Sequence, residues 1–193
     1  MIQIEKLKRT IKTVYEEPLP TSIHYHKWSH IQQVEEAAVK IADGEGVIGD
    51  DLIRLKSGVY IHDIGNLISR EKHEQRSVDI SSLILPLFGA SDEDIEVIRG
   101  LVLATAIPQK PKNILEKIMC DSDLSLMGYE NWLEVIDGYR LELGIDNLQK
   151  WYNGQISFLE THRWFTETAA RLYDGQKHRN IDLVRSKLFN LIR

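Results

Sequence analysis

Apolar residues recur at spacings of three and four along almost the whole chain, and no segment sustains the alternation of a half-buried strand. The pattern predicts an all-α fold. Stop signals divide it into helices. A first covers about residues 3 to 16 and ends before Pro18 and Pro20; a second runs from about Trp28 to Asp43, where Gly44 and Gly46 halt it. A third, capped by Asp50, spans about 50 to 64 and carries Leu52, Leu55, Val59 and His62 on one stripe before Gly65. A fourth covers about 72 to 87, stopping at Gly89. A fifth starts at the Ser91 cap with Glu93 and Asp94 in its first turn. Pro108 and Pro111 then mark an extended break, and a sixth helix runs from about 113 to 127. Three more periodic stretches follow, at about 130 to 143, 148 to 173 and 179 to 192.

No linker, repeat or low-complexity tract interrupts this series, so residues 1–193 are read as a single-domain helical bundle. Its motif-bearing core lies at about 25 to 130, and the C-terminal helices complete the bundle. A chain of 193 residues with 42% hydrophobic content can bury a core unaided. Composition narrows the setting. One cysteine, Cys120, excludes an internal disulfide framework and a cysteine-rich zinc cluster, and makes a reducing compartment the economical assumption. With no membrane-length apolar run and no leader-like start, the chain is expected to be soluble and cytoplasmic. A net charge of −5 argues against a broad grip on nucleic acid, yet a metal ion and a few local Lys or Arg can reverse the sign inside a cleft for a small anion. A homo-oligomer is compatible with these features, although nothing in them demands one.

Candidate chemistry sits where helical stripes end in histidine or aspartate. His30 shares a face with Val34, Ala37 or Ala38, and Ile41, and His26 lies one turn earlier. His62 and Asp63 stand about 100° apart around a helix end, a spread that lets imidazole and carboxylate approach one ion from adjacent directions. In the sixth helix Asp123 continues the stripe of Leu115 and Met119, while Asp121 continues that of Ile114 and Ile118, so spacing admits either. Singly, each such residue is more often a hydrogen-bonded structural group. Together they form a nitrogen and oxygen donor set without soft sulfur, which suits a divalent ion: Mn, Fe, Co, Ni, Zn or Mg. Buried unpaired carboxylates are costly, which also favours a cation.

These residues resemble the HD superfamily of metal-dependent phosphohydrolases, whose motif runs His, His-Asp and a distant Asp on successive helices. The match is His30, His62–Asp63, and Asp123 or Asp121, and the likeness spans about residues 25 to 170. Its flanks are similar too: Tyr25-His26-Lys27-Trp28-Ser29-His30 with Val34, His62-Asp63-Ile64-Gly65, His73-Glu74 with Ser77, and Asp121-Ser122-Asp123-Leu124. The resemblance implies a helical bundle, a divalent metal between helices, and attack of a metal-activated water on a phosphoester or anhydride. Matching the small residue before the final ligand favours Asp123 and leaves Asp121 a supporting role, such as a hydrogen bond to a histidine ligand. Asp63 counts both as ligand and as catalytic residue.

Tyr25-His26 through His30 also resembles cyclic nucleotide phosphodiesterases, by which analogy His26 is the general acid and His30 the ligand. Asn66 and Lys27 depart from that pattern. His73, Arg70 and Lys110 are candidates for facing substrate phosphate or supporting the ligands; His162 reads as a core residue. The expected activity is hydrolysis of a small phosphoester or pyrophosphate, with a nucleotide as the expected substrate. Two other classes stand beside it: a metal- and nucleotide-binding sensor that does not turn over, and, ranked last, a two-iron oxygenase, for which only His73 and Asp121 remain as extra ligands.

Overall fold

The computed structural model describes all 193 residues, and they form nine α-helices without a strand. These are α1 (Ile4–Glu16), α2 (Trp28–Gly44), α3 (Gly49–Ile61), α4 (His73–Ile84), α5 (Asp92–Ala104), α6 (Ile114–Asp123), α7 (Trp132–Glu142), α8 (Leu148–Thr161) and α9 (Glu167–Leu191). No helix is long and apolar enough to cross a membrane.

The central layer is α2, α3, α5 and α6, which pack on one another; α1 covers α3, and α4 lies against α5. The inner stripe of α2, Ile31, Val34, Ala37, Ala38 and Ile41, is wholly buried, as are Leu55 and Val59 on α3 and Ile98 and Leu101 on α5. A second, smaller apolar cluster joins Trp132, Leu159, Ile181 and Val184 to Leu126 and Met127. Tyr129 and Trp164 pack against both clusters and tie them together. The candidate site lies where the two meet.

Several helices are shorter than periodicity predicts. The third, expected to reach residue 64, ends at Ile61 and continues as a 3₁₀ turn over Ile64–Leu67; the sixth, expected to reach 127, ends at Asp123 before a 3₁₀ turn at Ser125–Gly128. A tighter last turn conserves the apolar spacing while redirecting the chain, so the pattern does not record the change. The C-terminal third differs more. The expected helix 148 to 173 is two helices, broken at residues 162–166, whereas the expected gap before 179 is absent because α9 runs through Gly175. The break is held from a distance: the Asp121 carboxylate accepts the amides of Phe165 and Thr166 at 2.9 Å each and the Thr166 hydroxyl at 2.7 Å. Thr166 in turn caps α9 by accepting the Ala169 amide.

Candidate metal centre

Each chemically interesting side chain sits at or near a helix end. His30 is in the first turn of α2, His62 and Asp63 follow α3, and Asp123 is the last residue of α6. The C-terminal ends of α3 and α6 thus converge, and their unpaired carbonyl dipoles favour a positive charge between them. One atom from each of His30, His62, Asp63 and Asp123 lies within 4.8 Å of all the others. His30 Nε2 is 3.2 Å from Asp63 Oδ2 and 3.5 Å from Asp123 Oδ1; His62 Nε2 is 3.1 and 3.3 Å from the same two oxygens.

Those nitrogens have no hydrogen-bond partner although they are buried. For His62 the reason is specific: its Nδ1 lies 2.8 Å from the Val59 carbonyl, which can only accept, so Nδ1 carries the proton and Nε2 presents a lone pair. A buried lone pair facing two carboxylate oxygens, one of them from the buried Asp63, is what a divalent cation satisfies. The donor set therefore fits a metal ion. Without one, protons take its place. Burial alone would lower His30 and His62 and raise Asp63 and Asp123, but the mutual contacts override it. They push both imidazoles up, hold Asp63 well below the carboxylate range and lower Asp123 to about 2.

Gly65 shapes the approach. A Cβ there would lie 2.2 Å from the His73 carbonyl oxygen, so only glycine lets the turn after Asp63 press against the start of α4. The Gly65 amide donates to Ser77 on the same helix at 2.9 Å, and Asn66 donates to Asp63 Oδ1 at 3.0 Å. This docking brings His73 to the opposite side of Asp63, with Nε2 3.3 Å from Oδ1 and Nδ1 donating to the Arg70 carbonyl.

His26 precedes α2 instead of extending it, because the helix begins at Trp28. Its ring nevertheless stands beside His30, with centroids 5.8 Å apart, and its Nε2 is 3.8 Å from Asp63 Oδ2. Glu142, at the end of α7, holds it there. Glu142 Oε1 accepts the amides of His24, Tyr25 and His26, while Oε2 lies 2.5 Å from His26 Nδ1. Burial would raise the Glu142 carboxyl, yet the His26 contact and these amides bring it down to about 2. Nothing in the sequence pattern marks Glu142, which sits 116 residues from its partner.

Of the sequence candidates, His26, His30, His62, Asp63, His73 and Asp123 come together. Arg70 and Lys110 are exposed, and neither lines the cavity beside the four converging residues. Asp121 points away, into the 162–166 break. It touches no histidine, correcting the expectation that it supports a ligand ring. His162 is half-buried against Phe158 and Trp164.

The same architecture occurs in a crystal structure described as a predicted HD superfamily hydrolase from an uncultured Thermotogales bacterium. The two match with a TM-score of 0.62 over 97% of this chain and 91% of the other, at 20% identity. The chain has the HD-domain fold. No protein-family model matches it, and no curated protein matches its sequence. Within this HD-domain fold the four converging residues stand in the His, His-Asp, Asp order on which the sequence resemblance rests.

Proposed function

We propose that the protein is a metal-dependent phosphohydrolase of the HD superfamily, acting on a small phosphoester or pyrophosphate, with nucleotides among the substrates to be tried. The observation that carries this reading is the set of dehydrated, unpartnered imidazole nitrogens facing two carboxylates. His30, His62, Asp63 and Asp123 would hold a divalent ion, which when bound activates water and polarises a phosphoryl oxygen. His26 supplies a proton to the leaving oxygen from Nε2, because Nδ1 is held by Glu142. Asp63 would serve as a ligand with its Oδ2 3.8 Å from the His26 Nε2 that delivers the proton, and His73 steadies its other oxygen.

The test is to purify the protein without chelator, measure bound metal by elemental mass spectrometry, and assay phosphate release with Mn, Co and Ni added in turn. The expected result is about one equivalent of a divalent ion and a phosphate product, both lost in His62→Ala. Metal with no turnover on any ester, diester or anhydride would instead leave a binding protein. Turnover retained in His62→Ala would overturn the mechanism.

A further inference from the structure

The metal centre opens into a cavity of about 520 Å³, a volume in the range of small-molecule sites. Its lining is mainly apolar and comes from the C-terminal half. Along α7, Trp132, Ile136 and Tyr139 recur at helical spacing; along α8, Trp151 and Phe158 do the same. Leu124, Leu126 and Met127, just after Asp123, line the same cavity. Lys150 is the one Lys or Arg of the lining, and it is exposed. The other charged side chains there are the carboxylates Asp63, Glu74 and Asp123.

This distribution constrains what can enter. A bound ion, with His26 and His73 near it, can neutralise one phosphate group. A second or third phosphate would meet apolar walls and carboxylates in place of the Lys, Arg or backbone-amide cradle that polyphosphates require. The walls instead reward the removal of apolar surface from water.

We propose, building on the phosphohydrolase reading, that the substrate is a monophosphate ester of a largely apolar alcohol, seated with its organic group between α7 and α8 and its phosphate at the metal ligands. Nucleoside di- and triphosphates are then poor substrates. Beside the exposed Lys150, the half-buried Gln155 is the neutral polar side chain of α8 in the lining that can hydrogen-bond a lone hydroxyl or amide on the organic group. Gly154 provides the handle for a test. It lines the cavity at its exposed edge, and a Cβ there would meet nothing within 4 Å, so the helix admits a side chain at this point of the cavity wall.

The experiment uses the metal-loaded protein and unreactive phosphonates of graded bulk: methyl-, hexyl- and naphthylmethylphosphonate, with ATP alongside. Binding is followed by calorimetry, with tryptophan fluorescence, to which the lining Trp132 and Trp151 contribute, as a second signal. The expected result is affinity at least about tenfold higher for the hexyl and naphthylmethyl compounds than for methylphosphonate, with a negative heat-capacity change. ATP should bind more weakly than either. Gly154→Trp should cut the ratio of naphthylmethyl to methyl affinity about tenfold, with thermal unfolding confirming that the variant is folded. Equal affinity across the series, ATP as the tightest ligand, or a ratio untouched in the folded variant would each overturn the proposal. Graded binding without turnover of the corresponding esters would leave the chamber standing and remove the catalytic reading; turnover with flat binding would do the reverse.

Discussion

A buried carboxylate that accepts three backbone amides and grips an imidazole has little freedom to compensate when its charge is removed. Glu142 is therefore a sensitive probe of what His26 does. Glutamine at 142 keeps an oxygen for the amides of residues 24 to 26 but no longer stabilises a charged ring. If His26 protonates the leaving oxygen, Glu142→Gln should lower kcat about 10- to 100-fold for esters with a poor leaving group and far less for p-nitrophenyl esters, which leave unaided. Bound metal should stay near the wild-type level, because Glu142 touches none of the four ligands. Equal losses on both kinds of ester would show that the pair only positions the segment before α2. The convergence of His30, His62, Asp63 and Asp123 was legible in the sequence because each ends an apolar helical stripe. Glu142 was not, since its role arises from α7 folding back over residues 24 to 26.

At the scale of elements, the two aspartates at the end of α6 separate structure from chemistry. Asp123 faces His30 and His62, whereas Asp121, two residues earlier and so about 160° away around the helix, anchors the α8–α9 break. Asp121→Ala would strand the Phe165 and Thr166 amides and should cost about 2 to 4 kcal/mol in urea unfolding, while the folded fraction still binds metal. Asp123→Ala should abolish metal retention and change the stability of the metal-free protein less, because it also relieves repulsion with Asp63. Reversal of the two outcomes would reassign the ligand. The same anchor explains why the break was missed. Apolar spacing continues across residues 162–166, the Thr166 cap lacks the Glu or Gln three residues on that would mark it, and the Asp121 hydrogen bonds that hold the break come from 45 residues upstream. Boundaries set by capping side chains next to the helix, as at Ser91 and Asn113, leave a local signal; those set by distant partners do not.

For the whole molecule, periodicity was enough to reveal an all-helical chain, but not that its C-terminal helices build a second apolar cluster and wall a chamber beside the His30, His62, Asp63 and Asp123 group. That arrangement depends on Trp164, which packs against both clusters and meets the His162 ring edge-on at 4.6 Å. His162 couples this junction to pH. Burial, reinforced by the Lys177 ammonium 3.1 Å from its own carbonyl and by Arg163, lowers the imidazole to about 4; the Asp174 carboxylate opposes them weakly. Both ring nitrogens lack hydrogen-bond partners, so no direct contact offsets the burial of the charged form. Above the ordinary histidine value, near pH 6.5, the ring is neutral folded or unfolded and contributes no pH dependence. As pH falls from there toward 4 the unfolded chain gains a proton that the folded one refuses, so stability is lost across that window and the loss levels off below it. Allowing for partial solvent access, the loss attributable to His162 should be on the order of 1 to 2 kcal/mol. Urea unfolding of the wild type and His162→Phe at pH 7 and pH 4.5 measures it. Carboxylates and ligand histidines titrate alike in both proteins and cancel in the double difference, provided the site is remote enough to be additive. The variant should lose less stability than the wild type between the two pH values; an equal loss would mean that the ring is hydrated in solution and that the junction between the two clusters is open to water.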